Sequence, residues 1–113
     1  MSLEGRHVLI LEDEPIIGIG LADQLSRRGA VVHLADRLDE AADLVGRERI
    51  DCAILDVNVH GKLSYPIAEM LAERAIPYIF ATGYGDMSHP AAFAHARTLS
   101  KPYSIEEIAA ALG

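Results

Sequence analysis

The sequence predicts an α/β domain built on a doubly wound parallel sheet, and three observations carry that expectation. Short apolar runs alternate with amphipathic segments at a period of roughly 20–25 residues, which suits consecutive βα units. The first, third and fourth runs are apolar throughout, as strands are when helices cover both sheet faces. Charged residues then gather where runs end: Leu11-Glu12-Asp13-Glu14 after Val8-Leu9-Ile10, Asp56 after Ala53-Ile54-Leu55, and Lys101-Pro102 after Leu99-Ser100.

Taken in order, the strand candidates are 6–12, 31–35, 51–56, 77–81 and 97–100. The helix candidates are 14–28, 38–48, 64–74, 88–96 and 104–112. Asp13 is placed to cap the first helix, with Pro15 in a first turn where a missing N–H costs nothing. Ile17, Leu21 and Leu25 make the stripe that faces the sheet. Gly29 follows Arg27-Arg28, the pattern of a helix C-terminus. Gly18 and Gly20 each cost that helix about 1 kcal/mol relative to alanine, which close packing would explain. Pro77 opens the fourth strand, a position proline tolerates. Ser104 is a good N-cap for the last helix, which has Glu106 and Glu107 in its first turn and carries Ile105, Ile108 and Leu112. No linker or low-complexity tract interrupts residues 1–113, so a single domain is expected, with no output domain in this chain.

Composition narrows the function. A net charge of −7 disfavours direct binding to nucleic acid. No apolar run approaches the roughly 20 residues that span a bilayer, and no signal peptide is visible, so membrane insertion is not expected. The single cysteine, Cys52, lies in an apolar run and reads as a buried, inert thiol, consistent with a reducing cytoplasm. His7, His33, His60, His89 and His95 lack metal-ligand spacing and read as structural or solvated, although His60 stands in the loop after Asp56. Lys62, Glu14 and the run Arg47-Glu48-Arg49 read as solvated charge.

In such sheets ligands bind beyond the carboxyl ends of strands where strand order reverses. The flavodoxin-like (βα)5 order 2-1-3-4-5 puts that reversal between strands 1 and 3, so Glu12, Asp13 and Asp56 converge. Carboxylates crowded together repel unless a hard cation joins them, and magnesium takes oxygen ligands. Asp56 could then act as nucleophile toward a phosphoryl group whose charge Lys101 neutralises. Thr82 closes the fourth strand and can hydrogen-bond a phosphoryl oxygen, while Gly83 and Gly85 let the following loop move.

These residues resemble the receiver domains of two-component response regulators over essentially the whole chain. The matching motifs are Leu11-Glu12-Asp13-Glu14-Pro15, Ile54-Leu55-Asp56, Ala81-Thr82-Gly83 and Lys101-Pro102-Tyr103, in order. The run Phe80-Ala81-Thr82-Gly83-Tyr84 is similar to a receiver subclass with a Phe-Ala-Thr-Gly signature. The resemblance implies that Asp56 accepts a phosphoryl group from a histidine kinase or histidine phosphotransfer protein. It implies a magnesium site of Glu12, Asp13, Asp56 and the Asn58 backbone carbonyl, with Thr82 and Lys101 on the phosphoryl group and a cis Lys101–Pro102 peptide. Such a domain switches the binding of a downstream protein and is no enzyme beyond assisting its own phosphorylation and dephosphorylation. Three positions depart from the pattern: Thr98 stands where many receivers carry a switching aromatic, His60 where a proline is usual, and Glu12 where aspartate is commoner. Tyr103 reads as a packed aromatic. Two other functions compete. One is a degenerate receiver that binds partners without phosphorylation. The other is a phosphatase of the haloacid-dehalogenase type, which usually needs an acid where Asn58 stands.

Overall fold

The structure, a computed structural model, describes residues 3–82, 93, 97–100 and 103–112. Its elements are β1 (His7–Leu11), α1 (Pro15–Arg27), β2 (Val31–Ala35), α2 (Leu38–Arg47), β3 (Cys52–Asp56), β4 (Asn58–Val59), β5 (Lys62–Leu63), α3 (Tyr65–Glu73), β6 (Tyr78–Thr82), β7 (Arg97–Ser100) and α4 (Ile105–Leu112). Five strands form one parallel sheet in the order β2-β1-β3-β6-β7. This is the expected 2-1-3-4-5 order, with β6 and β7 as the fourth and fifth strands. The sequence reading did not anticipate β4 and β5, which pair antiparallel as a separate hairpin between β3 and α3. The expected helix over 88–96 lies outside the described residues apart from Phe93.

Alternating side chains of each strand feed two cores. Leu9, Leu11, Ala53, Leu55 and Phe80 pack with α2 and α3 on one face. Val8, Ile10, Cys52, Ile54 and Ile79 pack with α1 and α4 on the other. β1 from Val8 onward and all of β3 are buried, which explains why their sequences are continuously apolar. Cys52 is fully buried, and that burial pushes its thiol above the ordinary value. Tyr103 packs, half-buried, against the α1–α4 core, as expected of a packed aromatic.

Helix ends are mostly as anticipated. Ser104 Oγ accepts the Glu107 N–H at 3.1 Å and Glu107 Oε1 accepts the Ser104 N–H at 3.1 Å, a reciprocal capping box. Gly29 ends α1 at φ 87°, in the left-handed region that glycine tolerates. Asp13, however, does not cap α1. The cap position is Glu14, with no side-chain bond to the helix. Asp13 Oδ2 instead accepts the His60 N–H at 2.9 Å, so a distant donor has taken the oxygen that a cap would use. The two glycines of α1 also differ. A Cβ on Gly18 would lie 3.1 Å from Leu34 Cδ1 and 3.5 Å from Glu12 Cγ, whereas one on Gly20 would meet nothing within 4 Å. Packing therefore accounts for Gly18 and not for Gly20.

Candidate functional site

β1 and β3 run parallel and in register, Leu11 beside Leu55, so their carboxyl ends share one sheet edge. Glu12 follows β1 and Asp56 ends β3. Both carboxylates are buried, at 3% and 8% relative exposure, although each is ionisable. One ligand oxygen from each of Glu12, Asp13 and Asp56 lies within 4.8 Å of the others. Among the described residues this is the single group of three or more side chains able to hold a metal ion.

Local bonds fix the members. The Glu12 N–H donates to the Ala35 carbonyl at 3.0 Å, which extends the β1–β2 ladder to the site. Glu12 Oε2 accepts the Glu14 N–H at 3.1 Å, turning the side chain back across the start of α1. Gly18 offers no side chain here, so α1 packs close to the Glu12 stem. Val57 N–H donates to the Ala81 carbonyl at 3.2 Å, holding the exit of β3 against β6. Burial works to raise the Asp13 carboxyl, but the His60 N–H and hydrogen bonding with Asp56 and Glu12 outweigh it and hold it below its ordinary value.

Three donors made only of oxygen, two of them buried, fit a hard divalent cation. Without one, several like charges would share a volume only a few ångströms across, which is costly away from water.

Thr82 ends β6, is buried, and pairs in register with Ser100 at the end of β7. Lys101 is the next residue and lies outside the described residues, as do Pro102 and the Gly83–Gly85 loop. Asn58 stands two residues beyond Asp56 and opens the hairpin, exposed, with its Oδ1 accepting the Gly61 N–H at 2.9 Å. Thr98 lies on β7 beside Phe80 and is half-buried.

Sequence reasoning missed how the hairpin reaches back to Asp13. Only Gly61 hints at the turn in the sequence, since histidine precedes it where asparagine is the familiar partner and the flanking strands are two residues each. His7 and His33 behave as the structural groups expected of them. Their rings stack with centroids 5.3 Å apart, and His7 Nδ1 lies 3.0 Å from His33 Nε2. No helix among the described residues is long and apolar enough to cross a membrane.

Known proteins match this chain throughout. The sequence pattern of the response regulator receiver domain matches residues 8–113. The sensory transduction protein LytT of Enterococcus faecalis is 30% identical over 107 residues, 90% of this chain and 44% of that protein. The transcriptional regulatory protein PdtaR of Mycobacterium tuberculosis is 32% identical over 112 residues, 95% of this chain and 55% of that protein. The chain thus spans about half the length of these curated relatives. A Burkholderia pseudomallei response regulator, solved with a phosphorylated aspartic acid, a calcium ion and citrate, superposes with a TM-score of 0.85 at 28% identity. That match covers 96% of this chain and 66% of that one. SdrG from Sphingomonas melonis Fr1 superposes at 0.79 with 39% identity, covering 99% of this chain and 96% of that one. With the flavodoxin-like sheet and the acidic edge between its strands, these matches lead to one conclusion: the chain belongs to the response regulator receiver domain family, the signalling modules of two-component systems.

Proposed function

We propose that this receiver is a working phosphoacceptor: Asp56 takes a phosphoryl group from a histidine kinase or histidine phosphotransfer protein in a magnesium-dependent reaction, and the product changes the binding of a downstream protein in the cytoplasm. The observation that carries this reading is the convergence of Glu12, Asp13 and Asp56 within 4.8 Å at the ends of β1 and β3. Similar chains support it. The Burkholderia pseudomallei regulator was solved with a phosphorylated aspartic acid, and SdrG was also solved in a BeF3-activated conformation.

In this reading Glu12, Asp13, Asp56 and the Asn58 carbonyl hold magnesium. The bound cation would supply charge neutralisation for the carboxylates and the incoming phosphoryl oxygens. An Asp56 carboxylate oxygen attacks the phosphorus of a phosphohistidine; the O–P bond forms as the P–N bond breaks, and the departing imidazole nitrogen keeps the electron pair. Transfer of this kind asks chiefly for in-line positioning and charge balance. The buried position of Asp56 at a strand end limits its freedom and favours one approach. Thr82, buried at the neighbouring strand end, receives a phosphoryl oxygen through its hydroxyl. Lys101 follows the residue paired with Thr82 and balances the remaining charge. The run Phe80–Tyr84 supports reading the chain as a member of the Phe-Ala-Thr-Gly subclass, with Phe80 and Ala81 anchored in the two cores.

Amide NMR with magnesium and beryllofluoride tests the proposal. Shifts over Thr82–Met87 are expected in the wild type and absent in Asp56→Asn. An unchanged wild-type spectrum would sink the reading.

A further inference from the structure

The hairpin after Asp56 presents a feature that the phosphoacceptor reading does not use. Asn58 pairs with Leu63 and Val59 with Lys62, leaving His60-Gly61 as a two-residue turn. Both turn residues have positive φ, 50° at His60 and 81° at Gly61, as a type I′ turn requires. The turn is anchored from below. Val57 and Val59 are buried in the α2–α3 core, and the Ser64 N–H donates to the Val57 carbonyl at 2.9 Å. Asn58 Oδ1 closes it from the side through the Gly61 N–H. Thus held, the turn points one donor, the His60 N–H, at Asp13 Oδ2, 47 residues away in sequence and 2.9 Å away in space.

His60 has two groups that could act on Asp13. Its imidazole Nδ1 is 3.9 Å from Asp13 Oδ2, on a side chain that is 58% exposed. At that distance and exposure an ion pair is weak. The peptide N–H is at full hydrogen-bond distance, and a bond to a charged acceptor is stronger than a neutral one. The backbone contact therefore outweighs the side chain. Extended or right-handed backbone at residue 60 would not make this type I′ turn, and a proline would have no N–H to give.

We propose that the His60 peptide N–H is a positioning group for the acidic centre: the type I′ turn holds the Asp13 carboxylate beside Glu12 and Asp56, so cation affinity depends on the backbone at residue 60 and not on its imidazole. This inference rests on the reading of the centre as a magnesium site.

The test is magnesium titration of the full chain followed by amide NMR, with no phosphodonor present. His60→Asn and His60→Gly keep the N–H and tolerate the left-handed region, so both are expected to bind within about twofold of wild type. His60→Pro is expected to bind about tenfold more weakly, as suits the loss of a charge-assisted bond. A loss in His60→Asn as large as in His60→Pro overturns the proposal, because the imidazole would then be the active group. A wild type that binds magnesium, with His60→Pro binding equally well, also overturns it and leaves the phosphoacceptor reading intact. A wild type with no magnesium response overturns that reading too. Hydrogen exchange of the wild-type His60 amide, measured without metal, gives a readout independent of the proline variant's folding. Exchange slowed at least about tenfold is expected of a held N–H, and exchange at the unstructured rate refutes the contact.

Discussion

Replacing Asp56 with asparagine should stabilise the metal-free protein. The substitution keeps shape and hydrogen-bonding capacity and removes one carboxylate from a cluster whose ligand oxygens lie within 4.8 Å of one another. At that separation and an effective dielectric of about 20, each fully ionised pair repels by about 3.5 kcal/mol. Solvent reduces that ceiling, because the Asp13 side chain is partly exposed and charge there is screened. A gain of about 1–3 kcal/mol remains, which for a domain of this size moves the thermal midpoint upward by about 4–12 °C. Thermal unfolding followed by circular dichroism in EDTA measures it. Magnesium should then stabilise the wild type more than Asp56→Asn and narrow the gap, because ligand binding to the folded state adds stability by mass action. An Asp56→Asn protein less stable than wild type in EDTA would refute the argument, since the cluster would then be favourable without a cation.

Three further outcomes follow from named contacts. Gly20→Ala should stabilise by about 0.5–1 kcal/mol through helix propensity alone, whereas Gly18→Ala should gain less because it must displace Leu34; equal denaturant midpoints for the two variants would contradict this. Burial, and then the charge of His7, hold the His33 imidazole below its ordinary 6.5, so the folded state binds fewer protons than the unfolded chain in mild acid. That contribution to stability is complete above 6.5 and is lost as pH falls through 6.5 toward the folded value, so between about pH 7.5 and 5.5 the wild type should lose more stability than His33→Gln; parallel losses would count against it. Asp51 Oδ2 accepts the His7 N–H at 2.8 Å, and that bond, with Arg49 assisting against burial, holds its carboxyl below 3.8. Asp51→Ala should cost about 1–2 kcal/mol at neutral pH, a difference from wild type that shrinks as pH falls below 3.8 toward the folded value and the carboxylate protonates; a pH-independent cost would point to packing instead.

The sheet was legible because its evidence in the chain is local and repeated: Val8–Leu11 and Cys52–Leu55 are buried on both faces and therefore apolar at every position. Convergence of Glu12, Asp13 and Asp56 followed from strand order alone, since parallel strands in register bring their carboxyl ends together. The hairpin was not legible. Each of its strands is two residues long, too short to show alternation, and its turn uses histidine where asparagine would be the familiar signal. The capping role expected of Asp13 failed for a different reason. Its position before Pro15 satisfies the local rule for a helix cap, but the donor that wins its oxygen comes from residue 60, and local rules cannot weigh a competitor so distant in sequence. Gly18 and Gly20 look alike on the helix and differ only in what lies above them, which depends on Leu34 and Glu12.

The two-residue turn at His60-Gly61 also bears on where this domain can change length. One added residue between Val59 and Lys62 would slip the β4–β5 register and turn a buried valine toward water. The exposed stretch 46–49, at the end of α2 and just beyond it, carries no such buried register. Insertions and deletions between related sequences should therefore collect at 46–49 and be missing from 57–64, so that the hairpin serves as a fixed ruler against which those sequences can be aligned.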